Sequence, residues 1–287
     1  MLKLVKQYYT LTKPGIVYGN AFTALAGLLF ASTSDFNLLK IILVLVFICL
    51  VMAGACAINN AMDIAIDGKM ERTKDRPTVT KAISKTSALI FGLSISCLGL
   101  LMLLITSNVL TFVLGIIALF TYAPLYTVLK KKTWSATWTG AVPGALPPVA
   151  GYTAITNQLD ASAVFIFMTM FVWQMAHFYG IALYRRNEYK KASVPVVSVI
   201  KGNDYTQKMI LAFIISYIIL MPLFYYFGNA GLIFTLAMIV TGLWWFKFGY
   251  ENYSKLKPET WGLKIFLRSL KVLIVYSAML ALAGLLP

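Results

Sequence analysis

The sequence has few charged residues and almost no histidine. Only 12% of its 287 residues are Asp, Glu, Lys or Arg, and one residue is histidine. Soluble domains carry about 25% charged residues, so this composition excludes a water-soluble globular enzyme. Hydrophobic residues make up 60% of the chain, and their long runs are typical of a protein with many membrane spans.

Cysteine is also scarce. The chain contains three cysteines, and Cys49, Cys56 and Cys97 all lie inside apolar runs. No Cys-x-x-Cys pair is present, and no histidine lies near them in sequence to complete a metal site. We therefore interpret the cysteines as packing residues.

Acidic residues are outnumbered by basic ones. The chain has 10 Asp and Glu against 25 Lys and Arg, which gives a formal net charge of +15. Such an excess can indicate nucleic-acid binding, but here the basic residues cluster between the apolar runs. That distribution orients a protein in a bilayer, so we predict a lipid environment and no nucleic-acid partner.

Apolar runs of about 20 residues can cross the bilayer core as an α-helix. Dividing the chain on this rule predicts an all-α, polytopic membrane protein with nine transmembrane helices. The predicted spans are residues 14–32, 41–62, 87–106, 109–129, 137–156, 161–184, 209–227, 230–249 and 264–286. No cleavable signal peptide is expected, because the first basic residues precede a run that continues as a full span.

Lys and Arg gather on one side of the predicted membrane. They are abundant in segments 67–86 and 184–208, and residues 130–132 add three lysines between them. The loops on the other side contain Lys40 alone. The positive-inside rule then places the N-terminus and both long loops in the cytoplasm, with the C-terminus on the opposite side of the inner membrane.

The main anomaly is an acidic cluster at the cytoplasmic end of the second span. Asn59, Asp63 and Asp67 are spaced by four residues, so they share one helix face, and Asn60 lies beside them. Like charges at this spacing repel, and carboxylates beside a membrane are costly, so a cation should offset them. Mg²⁺ is the natural candidate. The alternative is a solvated helix end that Arg72 and Arg76 neutralise locally.

A second polar segment ends the sixth span with Trp173, Gln174, His177, Tyr184 and Glu188. Eleven residues of helix place His177 about 16 Å deeper than Glu188. The recurrence of an acidic exit after four spans predicts one membrane domain over residues 1–287, built from two parallel repeats. These repeats cover about 14–129 and 137–249, with a cytoplasm-facing cavity between them and the ninth span apart.

The motifs resemble those of the UbiA superfamily of intramembrane prenyltransferases, in the form found in its protoheme IX farnesyltransferase (haem O synthase) branch. The matching segments are LTKPGIVYGN (11–20), NNAMDIAIDGKMERTKDRP (59–77), YAPLYTVLKKKTWSATWTGAVPGALPPVAGY (122–152) and WQMAHFYGIALYRRNEYKKASVPVVSVIKG (173–202). They extend from the first span to the seventh, whereas the last two spans carry little motif. One departure is Glu188, which stands where the family usually has Asp. Other branches of the superfamily have a further acidic residue four positions later, where this chain has Ala192.

The resemblance implies a bundle of nine helices that transfers the farnesyl group of farnesyl diphosphate to a vinyl group of haem B, giving haem O. Mg²⁺ would be held by Asn59, Asp63, Asp67 and Glu188. The implied contacts to the two substrates are Asn59, Asn60, Arg72, Arg76, Tyr122, Tyr126, Lys130, His177 and Tyr184. Arg72, Arg76 and Lys130 are candidates for the diphosphate, and the aromatic faces of Tyr122 and Tyr126 for the farnesyl cation.

His177 places an imidazole inside a membrane span. Because burying a polar side chain in the bilayer costs free energy, its presence there favours a functional role. Axial ligation of haem iron, a hydrogen bond to substrate, and packing all remain open. Basic residues at the cytoplasmic end suit the haem propionates. A haem A synthase or a terminal oxidase assembly is a possible receiving partner.

Two other functions fit parts of the sequence. Another UbiA-type prenyltransferase would use an aromatic acceptor such as 4-hydroxybenzoate, but the motifs differ from those of the quinone branches. A secondary transporter would also have two repeats with polar groups in the membrane. Transporters carry such groups near the midplane, whereas these carboxylates gather at one surface beside basic residues, which favours diphosphate chemistry.

Overall fold

The computed structural model describes residues 2–32 and 36–283, and all of its regular elements in these ranges are helical. The helices are α1 Leu2–Leu11, α2 Pro14–Ala31, α3 Leu38–Met62, α4 Ile64–Asp67, α5 Lys85–Thr106, α6 Val109–Phe120, a π-helical turn Thr121–Tyr126, α7 Thr127–Leu129, α8 Ala136–Thr156, α9 Ala161–Tyr184, α10 Arg186–Lys191, α11 Val197–Ile200, α12 Asn203–Phe227, α13 Leu232–Glu251 and α14 Pro258–Leu282.

The predicted all-α membrane fold is confirmed, but the count of nine spans is not. Within the described residues, eight helices are long and apolar enough to cross a membrane, counting Val109–Leu129 as one. The predicted fifth span forms helix α8, which falls outside this set and contains Pro143, Pro147 and Pro148. Residues 33–35, in a predicted loop, and 284–286, at the end of the last predicted span, lie outside the described residues.

Helix α8 tolerates its prolines because it lies in the interior, where neighbouring helices surround it. It packs closely along α2, and small residues set the distance between the two helices. A Cβ atom added to Gly151 would lie 2.3 Å from the carbonyl oxygen of Ala24, and one added to Gly27 would lie 2.0 Å from that of Pro148. Helix backbones therefore meet directly here, which brings the two predicted repeats together.

The remaining contacts arrange the other helices around α2 and α8. Helix α3 packs mainly against α5, while α9 packs against α8, α12 and α14. The largest core cluster joins α8, α9, α12, α13 and α14 through buried aromatic side chains such as Trp245 and Tyr217. Large apolar residues such as Ile105 and Val240 stay exposed on the outside. An exposed apolar belt on an apolar bundle is what a multi-pass membrane protein presents to lipid.

Candidate active site

One cavity of about 630 Å³ lies between the two predicted repeats. Its walls come from α2, α3, the π-helical turn, α8, α9 and α14, together with the loops after α4 and α9. The polar residues that line it include Lys13, Asn59, Asp63, Asp67, Arg72, Arg76, Tyr122, Tyr126, Lys130, Gln174, His177, Tyr184 and Arg185. The end formed by Asp63, Asp67, Arg76 and Lys130 is its mouth.

Three oxygen-bearing residues of the first motif, Asn59, Asp63 and Asp67, are each engaged by a cation. Lys130 pairs with Asp63, and Arg76 Nη1 lies 2.6 Å from Asp67 Oδ2. Lys13 donates a hydrogen bond to Asn59 Oδ1. Asp63 and Asp67 are only 2% and 5% exposed, and burying a carboxylate without a partner costs several kcal/mol, so these cations stabilise the site.

Lys13 is the residue immediately before α2, the first membrane span. Its backbone is left-handed, with φ 52°, and Pro14 begins α2 directly after it. Burial lowers the pKa of Lys13 to about 8, and the neighbouring cations Arg76 and Lys130 add to this effect. A lysine held among other cations indicates a place where negative charge is expected. The sequence interpretation missed Lys13, although the Lys-Pro-Gly motif beside a span was visible.

The π-helical turn shapes the wall opposite the first motif. Pro124 lies inside it, and proline lacks the N–H that regular α-helix requires, so the turn widens. Thr127 Oγ1 donates to the carbonyl of Tyr122 and accepts a 2.6 Å hydrogen bond from Asn59 Nδ2. The rings of Tyr122 and Tyr126 stack with centroids 6.1 Å apart. Both predicted tyrosines thus line the cavity.

The oxygens at the mouth fit a hard divalent cation bound together with a phosphate. Asp63 Oδ1 is buried without a hydrogen bond, and Lys131 Nζ is 3.8 Å away. No cluster of three or more Asp, Glu, His or Cys that could hold a metal occurs in residues 2–32 and 36–283. Mg²⁺ is usually bound by one or two carboxylates plus substrate phosphates, and that is the donor set available here.

The second acidic motif is arranged differently. Glu188 Oε1 accepts a 2.7 Å hydrogen bond from Arg185, and Glu188 is not among the residues that line the cavity. Its other oxygen is buried without a hydrogen bond. Tyr184 does line the cavity, with the guanidinium of Arg185 4.9 Å from its ring centroid. The structure therefore brings Tyr184, but not Glu188, to the cavity wall, and metal binding by Glu188 stays a prediction.

Asn60 also lies away from the cavity. Its Nδ2 donates a 2.7 Å hydrogen bond to the carbonyl of Leu11, which ties α1 to α3. The helix turns about 100° per residue, so Asn59 and Asn60 face different neighbours. This placement gives Asn60 a structural contact and no contact with the cavity, whereas Arg72 lines it as expected.

His177 lies deeper in the cavity, between aromatic rings. Its Nδ1 is 2.7 Å from Ser269 Oγ on α14. The indole of Trp173 stacks on the imidazole at 5.0 Å and donates to the carbonyl of Ser269. The cavity around this level is largely apolar, with Val51, Met52, Leu119, Met170, Leu270 and Leu273 in its walls. A polar mouth thus leads into an apolar interior that contains one imidazole.

The sequence was compared with models of known protein families. The model of the UbiA prenyltransferase family matches residues 20–270. The chain belongs to the UbiA prenyltransferase family, which confirms the resemblance and makes the protein an intramembrane prenyltransferase. Family membership favours this interpretation over the secondary transporter.

Two relatives that match nearly the whole chain carry the same name. The protoheme IX farnesyltransferase of Protochlamydia amoebophila (strain UWE25) is 34% identical over 96% of this chain and 97% of its own length. That of Blochmanniella pennsylvanica (strain BPEN) is 36% identical over 97% and 96%. Their matches cover nearly the whole chain, including the last two spans.

Solved structures share the fold at lower identity. A digeranylgeranylglyceryl phosphate synthase superposes with a TM-score of 0.81 at 17% identity, covering 98% of this chain and 99% of the other. A UbiA homologue from Archaeoglobus fulgidus bound to GPP and Mg²⁺ gives a TM-score of 0.72 at 17% identity, covering 96% and 99%. These likenesses confirm the UbiA-type bundle.

Proposed function

We propose that this protein transfers the farnesyl group of farnesyl diphosphate to a vinyl group of haem B and forms haem O. The observation that carries the proposal is the single cavity that joins a mouth of paired cations and carboxylates to an apolar interior containing His177. A diphosphate fits the mouth, and a prenyl chain and a porphyrin edge fit the interior. The relatives named protoheme IX farnesyltransferase support the choice of haem as acceptor.

The cations at the mouth perform the first task, which is to bind the leaving group. Arg76 and Lys130 pair with Asp67 and Asp63, and Lys13 with Asn59. A bound diphosphate offers these cations new oxygen partners, and the released carboxylates then hold Mg²⁺. When bound, Mg²⁺ neutralises the charge that develops on the departing diphosphate. The cations stabilise the same charge as the allylic C–O bond breaks.

The apolar interior protects the farnesyl cation. Farnesyl chain carbons lie against residues such as Met52, Leu119 and Met170, which line the cavity and exclude water. The faces of Tyr122 and Tyr126 lie near the mouth, where the cation forms, and aromatic faces attract cations. While the cation exists, the protein's side chains hold the farnesyl group in position and keep water away from it.

Haem enters from the side of α9 and α14, where His177 and Phe266 lie. We assign its propionates to basic residues of the mouth, of which Arg72 and Arg185 line the cavity without belonging to the Asp63 and Asp67 pairs. Charge-assisted hydrogen bonds to carboxylates are short and strong. The N-terminus and both long loops face the cytoplasm in this proposal, and haem O passes to a haem A synthase or oxidase assembly.

The test is a reconstitution of the full chain. Membranes containing the protein are incubated with haem B, farnesyl diphosphate and Mg²⁺, and the haems are separated and weighed by mass spectrometry. We expect haem O, and none when either substrate is left out. Farnesylated 4-hydroxybenzoate in a parallel reaction, with haem B unchanged, would overturn the choice of acceptor.

A further inference from the structure

We propose that Gln174 and His177 hold the water molecule that becomes the hydroxyl group of the product, and that His177 Nε2 takes its proton. This inference rests on the proposed function and adds a second task to the same cavity. It begins from two polar side chains of α9 that the binding of diphosphate does not use.

The first is Gln174, whose amide oxygen is buried without a hydrogen bond. The residue is 8% exposed and lines the cavity. Its side chain lies across Gly144 of α8, where an added Cβ would come within 2.0 Å of the Gln174 amide nitrogen. Gly144 therefore makes room for this amide. Leaving a buried acceptor without a donor is unfavourable, so a ligand that donates is expected here.

The second is His177, whose tautomer follows from its neighbours. The hydroxyl of Ser269 donates to the carbonyl of Phe266 at 2.6 Å, so Ser269 Oγ is left to accept from His177 Nδ1–H at 2.7 Å. Nε2 then carries the lone pair. No residue in the described part of the chain hydrogen-bonds to Nε2, and the imidazole lines the cavity.

The two acceptors lie on one face of α9. Residues three apart on a helix have Cβ atoms about 5–6 Å apart, and one water can donate to two acceptors about 4–5 Å apart. Among the reactants, ionised diphosphate, the prenyl chain and ionised haem have no hydrogen-bond donor to offer. Water is the reactant that can satisfy both acceptors together.

The step balances without another reagent. The C–O bond of farnesyl diphosphate breaks with both electrons going to the diphosphate, and the vinyl π electrons form the new bond to the farnesyl carbon. A cation remains on the vinyl carbon attached to the ring. The oxygen of the held water bonds to that carbon, and one water proton passes to Nε2. Without the water, the cation instead loses a proton from the adjacent carbon and leaves an alkene.

The experiment uses mass spectrometry to identify the haem products that variants form in the reconstituted reaction. Gln174→Leu, His177→Ala and Gly144→Ala, which displaces Gln174 without removing it, should still farnesylate haem. We expect the ratio of haem O to the product lacking one water to fall by about tenfold or more. A tenfold fall corresponds to a change of about 1.4 kcal/mol in the difference between the two activation free energies. Ser269→Ala should shift the ratio in the same direction and Ser269→Thr should restore it.

A matched control is Gln207→Leu, which removes a buried amide from α12 that does not line the cavity. It should give only hydroxylated product. Fully hydroxylated product from both Gln174→Leu and Gly144→Ala would overturn the inference, as would an equal loss of both products. A haem spectrum typical of histidine ligation that disappears in His177→Ala would also overturn it, because Nε2 would then bind iron. Absence of any farnesylated haem from the wild type would instead refute the proposed function.

Discussion

The ends of α3 and α9 that lead into the two acidic motifs hold corresponding places in the two predicted repeats, yet they present different chemistry. At the end of α3, Asp63 and Asp67 reach the cavity and take cations from distant segments. Just after α9, Glu188 of α10 pairs with Arg185 three residues earlier and stays off the cavity wall. Helix α9 itself brings Tyr184 to the cavity, with Gln174 and His177 farther along the helix toward its N-terminus.

This difference indicates that the acidic motifs after α3 and after α9 have different roles, although they occupy similar positions in the two predicted repeats. In the proposed function, the long-range pairs at the first motif let cations and carboxylates exchange partners with a diphosphate and Mg²⁺. The pair at the second motif is local and partly exposed, and Glu188 keeps a second, buried oxygen without a hydrogen bond. In the proposed function, the first motif binds the diphosphate of the prenyl donor, while α9 and Arg185 face the acceptor together with Arg72.

The largest effect is expected at the first motif. Asp63→Asn and Asp67→Asn should each lower turnover by about 10²- to 10³-fold, the loss typical for a group that stabilises developing charge. The protein should stay folded, because the partner side chains Arg76 and Lys130 are 18% and 19% exposed and can turn their charges toward water once unpaired. Steady-state rates and thermal unfolding of both variants check this. Asp75→Asn, an exposed acid of the same loop, is the control, and near-normal rates in both test variants at saturating Mg²⁺ would contradict the assignment.

A smaller effect is expected from the cations. Lys130→Met removes the partner of Asp63 and one predicted diphosphate contact, so KM for farnesyl diphosphate should rise by about tenfold, near the 1.5–3 kcal/mol of a charged hydrogen bond. KM for haem should change much less. Lys132→Met, an exposed lysine of the same loop, should leave both values unchanged. Equal increases in both KM values would show that Lys130 does not discriminate donor from acceptor.

The smallest effect is expected at the second motif. Glu188→Gln should lower kcat/KM for farnesyl diphosphate by less than about tenfold, since the carboxylate pairs locally and does not line the cavity. Asn60→Ala is a matched comparison, because it removes a buried contact to Leu11 and should lower thermal stability with KM unchanged. A Glu188→Gln loss as large as that of Asp63→Asn, with an altered Mg²⁺ dependence, would restore the prediction of a second metal site.

The sequence predicted the helices well because apolar length and flanking charge are local properties. Predicted and observed bounds agree at Val109–Leu129 and Ala161–Tyr184, for example. Helix α8 was the difficult case, since its prolines and small residues reflect burial against α2 rather than contact with lipid.

The site could be predicted only where the pattern was local in the chain. Asp63 follows α3 and Asp67 ends the short helix α4 four residues later. The nearby Asn60 instead points to Leu11, a contact that depends on where α1 packs. The hydrogen bond between His177 and Ser269 joins residues 92 apart, and a span with little motif supplies the serine. Lys13 reaches Asn59 across 46 residues. Such contacts come from tertiary packing, which spacing along the chain does not contain.

The most direct test of this division is an experimental structure of the full chain with Mg²⁺ and a non-reactive farnesyl diphosphate analogue. We expect diphosphate density among Lys13, Arg76 and Lys130, a metal ion on Asp63 and Asp67, and the farnesyl carbons directed toward His177. Diphosphate and metal centred on Glu188 and Arg185, with Asp63 and Asp67 still paired to Lys130 and Arg76, would contradict it.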